Sequence, residues 1–174
     1  MLHLITGGAR SGKSRYAETL ALAHAGPVVY IATAAADAGD AEFAARIAHH
    51  RAQRPAHWQL VEADAGLASA LKEHAHADTL LLIDCLTLWL ARFCHEDAVQ
   101  RAAFFRERAA LLQALPLLPG PALFVTNEIG WGVVPMGSAT RWFVDELGRL
   151  NQDLAGACER VTLVACGLPL VLKG

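Results

Sequence analysis

Charge is scarce in this sequence. Lysine and arginine number 15 and aspartate and glutamate 17, together 18% of 174 residues, and the formal net charge is −2. That balance argues against a dominant polybasic face for nucleic acid, and 54% hydrophobic residues argue against disorder. Cysteine is sparse too. Cys85, Cys94, Cys158 and Cys166 form no Cys-x-x-Cys pair and no regular framework, so they read as reduced, mostly buried thiols of a cytoplasmic protein. No secretory h-region is visible, because a glycine-rich motif occupies residues 7–14. Long apolar runs are also missing: the richest, Leu80 to Ala91, is interrupted by Asp84 and is too short to span a bilayer. No repeat, low-complexity tract or linker divides the chain, which is read as one domain over residues 1–174. A chain of that length buries about 70% of its unfolded surface. An Asn-Lys-x-Asp base-specificity motif is absent, which weighs against a GTP-binding regulatory module.

What is present begins at residue 7. Gly7-Gly8-Ala9-Arg10-Ser11-Gly12-Lys13-Ser14 is a complete G-x-x-x-x-G-K-S phosphate-binding loop. It follows the apolar run Leu2-His3-Leu4-Ile5-Thr6 and precedes a helix-forming segment, the strand–loop–helix setting the motif requires. The glycines let the backbone approach an anion, and successive N–H groups at a helix N-terminus then hold phosphates. Lys13 is expected on the β- and γ-phosphate oxygens and the Ser14 hydroxyl on Mg2+. Asp84 closes the buried strand pattern Leu80-Leu81-Leu82-Ile83, as a second carboxylate-bearing strand beside the metal does.

Further strands are read over Val28 to Thr33, Trp58 to Glu62, Thr79 to Asp84, Ala122 to Glu128 and Val161 to Ala165, with a short closing strand at Leu170 to Leu172. Helices are read from about Asp40 to Arg54, Ala65 to His76, Ala98 to Leu115 and Thr140 to Cys158. The alternation implies an α/β, P-loop NTPase-like fold: a mostly parallel sheet flanked by helices on both faces. On the segment around residues 42–54, His49 falls on a polar stripe with Glu42, Arg46 and Gln53, and His50 lies with Phe43 and Ile47. By periodicity alone both histidines suit a solvated face. Glu62 suits a ribose or base contact as well as an exposed turn. Asn127 and Glu128 end a buried strand, where α/β proteins place ligand contacts. His74 and His76 have metal-like spacing but no evident third ligand, and read as a polar helix end.

Taken together, these blocks resemble the bifunctional adenosylcobinamide kinase/adenosylcobinamide-phosphate guanylyltransferase family of cobalamin biosynthesis. The resemblance runs through Thr6 to Arg15, Tyr30 to Thr33, Arg46-Ile47-Ala48-His49-His50, Arg54 to Trp58, and Asp84 to Leu90. It continues in Thr126-Asn127-Glu128-Ile129-Gly130-Trp131-Gly132-Val133-Val134-Pro135, Gly148 to Gln152 and Gly167-Leu168-Pro169. It implies two reactions. ATP or GTP phosphorylates the aminopropanol hydroxyl of adenosylcobinamide, and GMP from GTP is then joined to that phosphate with release of pyrophosphate. The second reaction implies a GMP-histidine intermediate, whose histidine matches His49. Guanine-nucleotide contacts are implied at the phosphate loop, Ala32, Thr33, Ala34, His50, Arg51, Ala52, Gln53, Glu62 and Asp84. A symmetric homotrimer, a corrinoid substrate, and neither a nucleic-acid partner nor a membrane span complete the expectation. Without the resemblance, a P-loop small-molecule kinase lacking nucleotidyl transfer also fits. Asp and Glu candidates for the kinase's general base are too many to choose among by sequence.

Overall fold

The computed structural model describes residues 1–33, 55–94 and 97–174. The helix read over residues 40–54, and with it Ala34, His49, His50, Arg51, Ala52 and Gln53, lies outside the described residues.

Among the described residues, seven strands form one sheet: β1 (Leu2–Gly7), β2 (Val28–Ala32), β3 (Gln59–Glu62), β4 (Leu80–Asp84), β5 (Ala122–Val125), β6 (Arg160–Ala165) and β7 (Leu168–Lys173). Their spatial order is β3-β2-β4-β5-β1-β6-β7. Every neighbouring pair is parallel except β6 and β7. The helices are α1 (Lys13–Leu22), α2 (Leu67–His74), α3 (Leu86–Ala91), α4 (Ala98–Ala114) and α5 (Ser138–Ala157), with a 3-10 turn at Leu115–Leu117.

Strand periodicity sorts the apolar side chains into two cores. Leu81 and Ile83 of β4 point to one face, where they join Leu4, Ile31, Phe124, Leu67, Trp89, Phe104 and Leu150. Leu80 and Leu82 point to the other, with Ile5, Tyr30, Val125, and Ala17 and Ala21 of α1. Helices thus cover both faces of the sheet. Each strand of β4 and β5 reads as a continuous apolar run because neither face meets water.

Several boundaries differ from the sequence reading. The strand read over Ala122 to Glu128 ends at Val125, so Asn127 and Glu128 lie beyond it in the following loop. The apolar stretch after Asp84 contains the short helix α3, which buries Leu86, Trp89 and Leu90. The closing strand is longer than read and runs antiparallel to β6. Its turn is two residues long, with Cys166 at φ 53° and Gly167 at φ 78°, the left-handed pair that such a hairpin demands. The long helix ends at Ala114 and passes into the 3-10 turn, with Pro116 inside it.

The sheet order fixes the site. β5 separates β1, which carries the phosphate loop, from β4, which carries Asp84. All three strands end at the same carboxyl edge, with Ile5 and Asp84 each paired to Val125.

Candidate nucleotide site

The phosphate loop turns at the end of β1. Ser11 N–H donates to the Gly8 carbonyl at 3.2 Å, closing the turn, and Tyr16 N–H donates to Gly12 O at 2.9 Å, starting α1. A Cβ at position 7 would stand 2.4 Å from the Val164 carbonyl and 2.6 Å from Ser11 Oγ, so only glycine fits there. Gly12 has φ 97°, a left-handed conformation that a side chain would strain. Its Cβ position also lies 3.1 Å from Gly167 Cα. Gly167 N–H donates to Ser11 O at 2.8 Å, so the β6–β7 turn braces the phosphate loop from outside. Sequence reasoning did not find that brace; its signal was the Gly167-Leu168-Pro169 block, which had no assigned role.

Lys13 is buried, with Nζ donating to Gly8 O at 3.4 Å, so its ammonium curls back over the loop. Ser14 Oγ donates to Asp84 Oδ1 at a long 3.5 Å, and Tyr30 OH donates to Asp84 Oδ2 at 2.9 Å. Serine hydroxyl and aspartate carboxylate therefore meet at one sheet edge. Two hard oxygen donors beside a phosphate cradle fit Mg2+, which takes few protein ligands and completes its shell with water and phosphate oxygens. Among the described residues, no group of three or more His, Cys, Asp or Glu forms a separate metal cage. His74 closes α2, as a polar helix end does. Ser11 Oγ is buried with no hydrogen-bond partner among the described residues, a donor of the kind a phosphate oxygen satisfies.

The other described candidates spread along the same edge. Ala32 ends β2, and Thr33 Oγ1 donates to the Cys85 carbonyl at 2.6 Å. Arg92 caps this corner, with Nη1 donating to Thr33 O at 3.4 Å and Nη2 to Asp64 Oδ1 at 2.9 Å. Glu62 pairs in register with Ala32 on the outermost strand, four strands from β1, so it stands apart from the phosphate loop. Burial, and next to it the Asp84 charge, pushes the Cys85 thiol up to about 11, so it stays neutral beside Asp84. Burial likewise pushes Cys158 up to about 12. All four cysteines are free thiols: Cys85 and Cys158 are buried, Cys94 is half-buried and Cys166 is exposed.

A polar cluster that the sequence left unresolved sits beyond the end of β5. Glu128 N–H donates to Gly7 O at 3.1 Å. Glu128 Oε1 accepts from Thr6 Oγ1 at 3.2 Å and from Asn151 Nδ2 at 3.0 Å. Asn151, buried on α5, also donates to the Asn127 carbonyl at 3.0 Å and accepts from Thr126 Oγ1 at 2.8 Å. Thr87 Oγ1 accepts from Asn127 N–H at 2.9 Å. The loop that follows exposes Trp131, Val133, Val134 and Met136.

Comparison with known proteins adds three findings. The family described as cobinamide kinase / cobinamide phosphate guanyltransferase matches residues 3–172. Among characterised proteins, the chain is 53% identical to the bifunctional adenosylcobalamin biosynthesis protein CobP of Pseudomonas aeruginosa, covering all of this chain and 98% of that one. It is 38% identical to the bifunctional adenosylcobalamin biosynthesis protein CobU of Salmonella typhimurium, covering 99% and 100%, and 36% identical to the Escherichia coli protein of the same name. Two solved structures share the fold at low identity. One is a protein from Pyrococcus horikoshii OT3, with TM-score 0.57 and 6% identity over 99% of this chain and 86% of that one. The other is the RadB recombinase, with TM-score 0.53 and 17% identity over 93% and 73%.

Proposed function

Because this chain belongs to the cobinamide kinase / cobinamide phosphate guanyltransferase family, we propose that it works both reactions at the single phosphate loop. It is a bifunctional enzyme of cobalamin biosynthesis that uses nucleoside triphosphates and a cobinamide substrate. The observation that carries the reading is the contact of Ser14 with Asp84 at the sheet edge where the buried Lys13 curls over the phosphate loop.

In the kinase step, the aminopropanol hydroxyl of adenosylcobinamide forms a bond to the γ-phosphorus of ATP or GTP. The bond to the β-phosphate bridging oxygen breaks, and the electron pair leaves with the nucleoside diphosphate. Lys13 and the backbone N–H groups of the loop hold the phosphates in line. Ser14 and Asp84 would hold Mg2+, which would supply charge neutralisation on the phosphate oxygens. In the guanylyl step, a neutral His49 nitrogen attacks the α-phosphorus of GTP and pyrophosphate departs. A phosphate oxygen of adenosylcobinamide phosphate then displaces the histidine, giving adenosylcobinamide-GDP. Arg46 or Arg51 neutralises phosphate charge from the same segment. His49 and these arginines are assigned by the resemblance of residues 46–54 and lie outside the described residues. Nucleotide contacts at Ala32, Ala34, His50, Arg51, Ala52, Gln53 and Glu62 belong to the same proposal.

One sheet gathers strands from Leu2 to Lys173, which supports reading residues 1–174 as one catalytic domain. No helix among the described residues is long and apolar enough to cross a membrane. A cytoplasmic homotrimer is the assembly proposed, and sedimentation at a mass other than three chains overturns that part.

The purified chain, given adenosylcobinamide, ATP, GTP and Mg2+, is expected to form adenosylcobinamide phosphate and then adenosylcobinamide-GDP, followed by mass spectrometry. Lys13→Ala is expected to slow both steps by on the order of 10²–10³-fold, because each loses the same charge on transferring phosphate. Loss of only one step would contradict a shared phosphate site.

A further inference from the structure

We propose that Glu128 is the general base of the kinase step, accepting the proton of the acceptor hydroxyl as its oxygen attacks the γ-phosphorus. This rests on the kinase reading above and adds the residue that reading lacks.

The placement follows from the sheet. β5 lies between the strand of the phosphate loop and the strand of Asp84, so the chain leaving β5 emerges at the same sheet edge as both. Glu128 is the third residue past the end of β5, and its own N–H is bonded to the carbonyl of Gly7, the first residue of the phosphate loop. Its Oε1 is fixed by two donors, Thr6 Oγ1 and Asn151 Nδ2, both on buried residues. Its Oε2 has no hydrogen-bond partner among the described residues. One oxygen is held and the other is left to accept, which is the arrangement a base needs to meet a substrate hydroxyl at a set position.

The other described carboxylates at this edge serve less well. Asp84 is engaged through both oxygens by Ser14 and Tyr30. Glu62 stands four strands from β1. Asp64 pairs with Arg92 and is almost fully exposed. Glu128 also opens the loop whose Trp131, Val133, Val134 and Met136 face outward, an apolar surface beside the base for a bulky acceptor such as a corrinoid.

The step balances without another reactant. The hydroxyl O–H breaks toward Glu128 Oε2, the O–P bond forms, and the γ-phosphorus to bridging-oxygen bond breaks with its electron pair going to the nucleoside diphosphate. Glu128 then releases the proton to water.

The test uses the full chain with Glu128→Gln, which keeps an acceptor for Thr6 and Asn151 but cannot take the proton. The two half-reactions are assayed separately: ATP with adenosylcobinamide, and GTP with supplied adenosylcobinamide phosphate. Kinase kcat is expected to fall on the order of 10²–10⁴-fold with nucleotide KM little changed, and the acidic limb of its pH–rate profile to vanish. Guanylyl transfer is expected to persist. Retained kinase kcat overturns the assignment, as does a raised Mg2+ requirement with the acidic limb intact. Should Glu128→Gln melt early and lose both halves, Glu128→Asp decides, since it keeps a carboxylate with shorter reach. Selective loss of kinase kcat in that variant supports the base, and equal rates in both halves overturn it. A wild-type chain that phosphorylates no adenosylcobinamide would instead sink the kinase reading, and the base with it.

Discussion

Residues at the carboxyl edge divide into those whose role is local in sequence and those whose role is not. Lys13 and Ser14 sit inside a contiguous motif, and a motif of fixed spacing carries its geometry with it. Asp84 was legible because four apolar residues precede it and end a strand. Tyr30 was read only as part of a buried strand, yet its hydroxyl reaches across to Asp84 from a partner 54 positions away. Glu128 and Asn151 are 23 positions apart on different elements, so nothing in local spacing could join them. The same blindness hid His3. Buried on β1 and hydrogen-bonded to Thr162 at 2.8 Å, its imidazole is pushed down to about 4 by burial and, secondarily, by nearby Arg160. The unfolded chain therefore binds a proton near pH 6.5 that the folded chain refuses until about pH 4. Stability from this residue is complete above pH 6.5 and is lost as pH falls toward 4, by on the order of 3 kcal/mol. His3→Gln, which cannot titrate there, is expected to flatten the fall in urea midpoint between pH 7 and pH 4.5. An unchanged slope would show that His3 does not govern it.

Elements were legible where their pattern was long. The buried strands β1, β2, β4, β5 and β6 begin at or next to the start of their apolar runs, and α4 and α5 appear within a few residues of where periodicity puts them. The short helix α3 was not seen because an apolar run is compatible with either a buried strand or a buried helix turn. Helix α5 matters most to the site, since it carries Asn151 on the same side as Leu147, Leu150 and Leu154, all buried against β1 and the neighbouring helices. Its other anchor is a buried carboxylate: Glu146 accepts from Arg149 and, at 3.3 Å, from Arg108 of α4, whose Nη2 also reaches Asp153 at 2.6 Å. Leu150→Ala leaves a cavity under the sheet and is expected to cost about 2–5 kcal/mol, measured by denaturant unfolding. A change within experimental scatter would mean that α5 is held by its ionic contacts instead. Because Asn151 is the next residue, kinase activity in this variant is expected to decline more steeply with temperature than in the wild type.

On the proposed reading, two chemistries share one edge of one sheet. Strands β4, β5 and β1 place Asp84, Glu128 and the phosphate loop side by side, and the β6–β7 turn braces that loop through Gly167. A phosphoryl transfer and a nucleotidyl transfer can share this edge because both need the same charge neutralisation and differ in which phosphorus is attacked. The most direct measurement supplies GTP labelled at the α-phosphate, with Mg2+ and no corrinoid, and follows label on the denatured protein. Wild type is expected to hold acid-labile, alkali-stable label, as a phosphoramidate does, with the label lost in His49→Ala and kept in His50→Ala. Tight GTP binding with no label on the wild-type chain would contradict the two-reaction site and leave a simple P-loop kinase.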